Sequence, residues 1–317
     1  MTSSISVQFR IEPGPDAPRQ LPEARVAAKL GTSIDGPEPN LMPPSHGPQA
    51  ELLRRASLAL QIQNFAEAER LAAEVLKSSR TDIMATWILG RALLAQNRPA
   101  EAIIPLERAA RRTGDPGIET LLGAALGESG RRPDAIEQLR RTSDRRPPFL
   151  PAFQELAGQL AKDRRLDQAI ATIEGALALA PESADLQLDL ARLHIECNAR
   201  GKARAILAKA REAAPARTDI STLLARLLRQ DGDFATAAEM YRLILAQRPD
   251  DPMARADLGA CQLELGQRET GEASLRSAVR GRPQMLAQAA YVLAHSSRGR
   301  VFLRPSALKK FLRSDGV

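Results

Sequence analysis

The chain has 317 residues, 44% hydrophobic but only 3% aromatic. It therefore has apolar surface enough for a core but must build that core without rings. Leu and Ala at helix–helix contacts suit this composition, whereas a β-sandwich draws on aromatic and β-branched residues. The formal charge is +7, with 38 Arg against 7 Lys, a general bias that by itself is weak ground for a nucleic-acid partner. Two cysteines, Cys197 and Cys261, are too few and too distant to make a disulfide framework, and both are expected inside helices as small core residues.

Residues 1–48 hold nine of the 22 prolines and four basic against five acidic groups, a net of −1. Such a segment buries little and sustains no long helix, so it is expected to be disordered or extended, with one short helix conceivable over 22–30. Its first residues, MTSSISVQFRIEPGPDAP, lack the apolar stretch of a secretory signal, and no apolar run anywhere is long enough to span a membrane. A cytoplasmic protein is the expectation.

From Gln49 the character changes. Pro147, Pro181, Pro215, Pro249 and Pro283 follow one another at intervals of 34 residues. In the same frame run Ala135, Ala169, Ala203, Ala237 and Gly271. A Leu column (Leu122, Leu156, Leu190, Leu224, Leu258) is followed each time by a small residue: Gly123, Ala157, Ala191, Ala225 and Gly259. A column of larger groups comprises Leu139, Ile173, Leu207, Tyr241 and Leu275. A 34-residue unit accommodates two helices of about 12–15 residues with two tight turns. Small residues let the paired helices approach, large ones fill the space between them, and the Pro ends the second helix. Between the helices stand Asn97, Gly130, Asn198, Gly232 and Gly266, which tolerate a left-handed turn; Gln63 and Arg164 occupy that place in the other two units and are less suited to it.

These columns, with LLARLLRQDGDFATAAEMYRLILAQRPDD at 223–251 and TWILGRALLAQNRPAEAIIPLERAA at 86–110, resemble the tetratricopeptide repeat family over 237 of the 317 residues. The units fall at 49–82, 83–115, 116–149, 150–183, 184–217, 218–251 and 252–285. The second is one residue short, with Gly114 for the usual Pro, and the first carries Arg55 and Arg80 in the Leu and Pro columns. The resemblance implies an all-α fold, an α-solenoid of helix–turn–helix repeats wound as a right-handed superhelix. Residues 286–317 begin an eighth first helix and then leave the pattern. They carry six basic groups against one acidic. SALKKFLR, with Ser306 as N-cap, places Leu308, Phe311 and Leu312 on one face, which reads first as a capping helix. Contact of this basic amphipathic piece with an anionic membrane or nucleic acid is the lesser reading.

No HExxH, CxxC, P-loop or GxSxG occurs, and His46, His194 and His295 lack metal-ligand spacing. With 48 residues before the array and 32 after it, no appended catalytic domain is expected. The expectation is a scaffold or adaptor with no cofactor, no metal and no catalytic residue. The resemblance also implies that first helices line a concave groove holding a partner peptide or helix. Its groove positions carry Leu53, Leu60, Trp87, Arg91 and Leu94 in the N-terminal half and Arg192, Arg226 and Arg229 in the C-terminal half. An apolar anchor meeting Trp87 and an acidic group meeting the arginines is the ligand this predicts. Packing between units is an equal claim on Trp87, and pairing with Asp189, Glu196 or other neighbours the stronger one on the arginines. The Lys/Asn clamp of chaperone-binding relatives is missing, since Leu53, Ser57, Trp87 and Arg91 stand in its places. The alternative function is polyanion binding through Arg98, Arg131, Arg132, Arg164, Arg165 and Arg200 on the turn edge, together with the basic tail. Asp134, Asp163 and Asp167 nearby, and the want of stacking aromatics, speak against nucleic acid.

Overall fold

The computed structural model describes residues 47–302 and 304–313; the Pro-rich segment 1–46, including the expected helix over 22–30 and His46, lies outside the described residues. Among the described residues there are α-helices and no strand. The helices come in pairs: α1 (Pro48–Gln61) with α2 (Phe65–Ser78), α3 (Ile83–Ala95) with α4 (Pro99–Thr113), and α5 (Pro116–Glu128) with α6 (Arg132–Ser143). Then follow α7 (Leu150–Lys162) with α8 (Leu166–Leu179), α9 (Ala184–Glu196) with α10 (Arg200–Ala213), α11 (Thr218–Gln230) with α12 (Phe234–Gln247), and α13 (Pro252–Glu264) with α14 (Arg268–Val279). A 3-10 turn (Pro283–Met285), α15 (Leu286–His295) and α16 (Pro305–Arg313) close the chain. The chain is an all-α solenoid of helical repeats.

Local chemistry sets each boundary. Asn64, Asp82, Asp115, Ser183, Asp233 and Asp251 each accept a hydrogen bond from a backbone N–H in the first turn of the helix that follows, which satisfies donors the helix itself cannot. All seven turns within pairs pass through a left-handed residue. Gly130, Gly232 and Gly266 do so freely, Asn97 and Asn198 at small cost, and Gln63 and Arg164 at φ 60° and 61° against their preference.

Within a pair, the small column of the first helix receives the large column of the second. A Cβ added to Gly123 would run into the Leu139 side chain, and one on Gly90 would lie 3.0 Å from Leu106 Cδ2. At α13 and α14 the backbones themselves meet, because a Cβ on Gly259 would sit 3.0 Å from the Gly271 carbonyl oxygen and the reverse also holds. Leu106, Leu139, Ile173, Leu207, Tyr241 and Leu275 are all fully buried as a result.

Each second helix packs on its partner and on the first helix of the next unit. Consecutive first helices from α1 to α7 also touch one another, whereas consecutive second helices make no comparable contact. First helices therefore crowd the inner, concave side and second helices fan outward. The contact between first helices weakens from α7 to α9 and is not regained until α13 and α15, so the inner face is tight in its first half and open in its second.

At the C-terminal end, Leu312 is buried and Leu308 and Phe311 pack on the same apolar cluster as Leu275, Ala278 and Leu293. Phe311 lies between two guanidinium groups, Arg276 and Arg300, each 5.2 Å from its ring. The helix starts at Pro305, so Ser306 stands in its first turn and does not cap it. Its apolar face is turned into the fold. Cys261 is buried as expected, but Cys197 ends α9 exposed.

Two substitutions of opposite sign test this account. Arg164→Gly should raise stability by about 0.5–1 kcal/mol, since glycine adopts the left-handed turn without strain. Gly259→Val should lower it by about 1–3 kcal/mol by forcing backbones apart. Urea unfolding followed by circular dichroism reads both.

Candidate functional site

The concave face is built from the first helices, and its two halves differ in kind. In the N-terminal half the closeness of α1, α3 and α5 seals the predicted apolar anchors into the core. Leu53 is 2% and Trp87 6% exposed, so neither projects as a ligand-binding side chain; Leu53 belongs to the core outright. The Arg91 guanidinium lies 4.8 Å over the Trp87 ring and covers what the packing leaves. Leu60 and Leu94 are half-buried on the rim of the same core.

The C-terminal half is held by charge. Arg192 donates to Asp189 Oδ1 at 3.1 Å, and the other oxygen of Asp189 accepts from Gln154 Nε2 at 2.8 Å, joining α7 to α9. Arg217 joins α9 to α11 through Asp185 at 2.8 Å while also gripping Asp219. Arg226 and Arg229 both approach Asp257 from α11, at 3.9 and 3.8 Å. The side chain of Asp257 is only 7% exposed, whereas that of Arg226 is 45% exposed. Behind them, fully buried, lie the Tyr241 phenol and the Cys261 thiol.

Burial governs the protonation of this face. It pushes Asp257, Asp189 and Glu155 above the usual carboxylate range, with Arg229 and Arg226, then Gln154 and Arg192, then Gln159, opposing the shift at each. The Cys261 thiol is pushed up to about 12 and the Tyr241 phenol is raised as well, again by burial. His194, buried on α9, is shifted down by the same desolvation and is packed against its neighbours.

Asp257, Tyr241 and the Glu155–Gln159 pair were not among the predicted site residues. Asp257 and Asp189 are separated by two repeat lengths, and that recurrence is the signal that finds them. The predicted arginines do meet acids, though Arg226 and Arg229 meet Asp257 and not Glu196. On the turn edge, Arg98 pairs with Glu69 and Glu101, Arg131 with Asp134, Arg165 with Asp163 and Arg200 with Asp231. That edge is charge-mixed and offers no continuous cationic ridge. Among the described residues no group of three His, Cys, Asp or Glu is placed to hold a metal, and no helix is long and apolar enough to cross a membrane.

Family models of the tetratricopeptide repeat match residues 53–117, 160–227 and 228–295. The chain belongs to the tetratricopeptide repeat family. No curated protein matches the sequence. Among solved structures, PilF of Pseudomonas aeruginosa is similar at 16% identity and a TM-score of 0.52, over 63% of this chain and 91% of that one. MamA of Desulfovibrio magneticus RS-1 is similar at 22% identity and a TM-score of 0.43, over 52% and 93%. The likeness to PilF is one of fold.

The raised carboxylates make a pH prediction. A folded-state value above the unfolded one means the folded chain holds more protons between the two, so stability falls as pH rises through the folded value. Glu155→Gln keeps the hydrogen bond from Gln159 and removes the buried charge. It should raise the thermal midpoint at pH 7.5, and the gain should shrink toward nothing at acid pH, where Glu155 is itself neutral. A gain that is the same at pH 7.5 and pH 4 would refute the assignment.

Proposed function

We propose that this chain is a non-catalytic adaptor whose concave face receives an acidic peptide or helix of a partner protein. The observation that carries this reading is the trio Arg192, Arg226 and Arg229 on the open half of that face. Arg192 and Arg226 are equivalent residues of consecutive units, and Arg229 stands about one turn further along α11. Each lies beside a carboxylate, Arg192 against the partly buried Asp189 and the other two against the buried Asp257, which restricts the guanidinium before a ligand arrives. Two guanidiniums share the single charge of Asp257, leaving one positive charge in surplus toward the groove. A preset Arg fork facing a half-open surface is what a ligand carboxylate recognises with two hydrogen bonds. The apolar stretch of such a ligand would run over Leu60, Leu94 and the Arg91–Trp87 stack, with Trp87 contributing its covered edge and not an inserted anchor.

The polyanion alternative finds less support. Its turn-edge arginines are mostly paired, and exposed ion pairs of that kind leave little net field. The apolar face of α16 is occupied by the fold, so that segment has none to offer a membrane.

Affinity capture with the full chain, against an Arg192→Gln/Arg226→Gln variant, tests the reading. Arg229 is kept so that Asp257 retains a partner. A defined protein should be captured by the native chain and its yield should fall about tenfold or more with the variant, as expected for losing two charge-assisted contacts. Equal capture by both baits would overturn the arginine site. Nucleic acid that is captured and then released at moderate salt would put the polyanion function in its place.

A further inference from the structure

On the outer side of the array, away from the concave face, the end of α10, the start of α11 and the second half of α12 surround a recess of about 300 Å³. Met240, Leu243 and Ile244 give it an apolar wall, and Arg211, Ser221 and Gln247 bring polar groups to it. The recess exists because Ser221, the fourth residue of its unit, is short. In the units on either side the fourth residue is long: Phe153, Gln187 and Arg255. Phe153 packs on an apolar cluster, the buried Gln187 donates to the Pro181 carbonyl at 2.9 Å, and Arg255 reaches the carbonyl of Pro249. Ser221 cannot reach as far, and the space stays open.

The third unit shows what such a place accepts. Its fourth residue is Glu119, a buried carboxylate that accepts from Arg145 Nη2 at 2.5 Å and from Thr142 Oγ1 at 3.1 Å. Gln247 and Ile244 hold the positions of Arg145 and Thr142 in the sixth unit, which therefore keeps a donor, gains an apolar group and lacks the acid. The cation comes instead from the preceding unit. Arg211 is half-buried, and its guanidinium donates to Met240 Sδ at 2.9 Å. A thioether is a weak acceptor, and among the described residues Arg211 makes no ion pair. Glu212 also borders the recess but is exposed, and successive residues of a helix do not face each other.

We infer that this recess binds a carboxylate carried on a compact apolar body, the ligand taking the place that Glu119 fills in the third unit. One guanidinium matches one carboxylate in charge and grips it with two parallel hydrogen bonds. The Gln247 amide offers a further donor, and Met240, Leu243 and Ile244 meet the apolar body. A mostly apolar lining with a few polar groups is the usual make-up of a small-ligand site, and the volume stands at the low end of their range of about 300–1,000 Å³. That size suits a single ring or a branched side chain. The recess is built by the second helices and lies apart from the groove, so either reading stands if the other fails.

Ligand-observed NMR titration of the full chain with phenylacetate, phenylacetamide and acetate tests it. Phenylacetate should bind about tenfold or more tightly than either of the others, the amide lacking the charge and acetate the apolar body. Arg211→Gln should weaken phenylacetate about tenfold or more with the thermal midpoint unchanged. Arg211→Lys, which keeps the charge and loses the fork, should fall between that variant and the native chain. Ser221→Glu places a carboxylate of the chain's own where Glu119 has one, and should abolish binding while the thermal midpoint holds or rises. N-acetyl-alanyl-leucine run in parallel distinguishes a peptide C-terminus from a free acid as the natural source, and tighter binding of either supports the site. Failure of both acids to bind with a Kd of about 1 mM or tighter, binding of phenylacetamide as tight as phenylacetate, or binding indifferent to Arg211→Gln and Ser221→Glu overturns it.

Discussion

The structure depends on one contact made over and over, a large apolar side chain of a second helix seated on a small residue of the first. Gly90 under Leu106, Gly123 under Leu139 and Gly259 under Leu275 are its closest forms; Ala157, Ala191 and Ala225 face Ile173, Leu207 and Tyr241 at the same spacing, all of them buried. It fixes how near the two helices of a unit lie and so fixes the groove that the next unit's first helix must fill. Because the contact is local, each unit is set by its own residues and its immediate neighbours, and the chain needs few aromatics to be well packed. Tyr241 is the one exception in the large column. Its ring does the work of the Leu or Ile found elsewhere, while its buried hydroxyl lies beside Arg229 and Asp257, beneath the charged half of the groove. The same residue thus belongs to the core and to the candidate site.

The concave face changes character where its packing changes. From α1 to α7 the first helices are close enough that side chains directed between them disappear into the core, which is the fate of Leu53 and Trp87. From α9 to α13 the helices stand further apart, and the space is spanned by Arg217–Asp185 and the Arg226 and Arg229 approach to Asp257. Long polar side chains bridge distances that Ala and Gly cannot. Buried carboxylates are tolerated there because each has an Arg or Gln within reach, and an acid left alone in such a place would cost several kcal/mol.

Much of this was legible in the sequence because repeats report on themselves. The Pro, small and large columns announced the repeat of helix pairs, and Asp251 between two units caps the helix that follows it. The left-handed turns at Gln63 and Arg164 were legible only as poor matches, since the fold imposes there what the residue disfavours. The groove was harder to read. Position in a repeat says which way a side chain points and not how closely the neighbouring helix approaches it. Trp87 looked like an anchor because the spacing between first helices, which decides whether a side chain is groove or core, is a property of pairs of units. Asp257 was overlooked because a lone carboxylate in a helix has no motif, although its recurrence with Asp189 at twice the period was there to be seen.

A chain with 38 Arg invites a reading by total charge, yet total charge says little about where a ligand would be held. On the turn edge each arginine named above, Arg164 and Arg132 aside, sits within 4 Å of an acid from its own or an adjacent unit; such pairs leave a mixed surface whose field is screened within about 8–10 Å of solvent. The excess that matters is local and geometric: two guanidiniums to one buried carboxylate at Asp257. Both lie against that carboxylate before any ligand arrives. Side chains already restricted in position lose less conformational entropy on binding. Preorganised excess charge, and not abundance of charge, is therefore the feature that distinguishes this site from the rest of an arginine-rich surface.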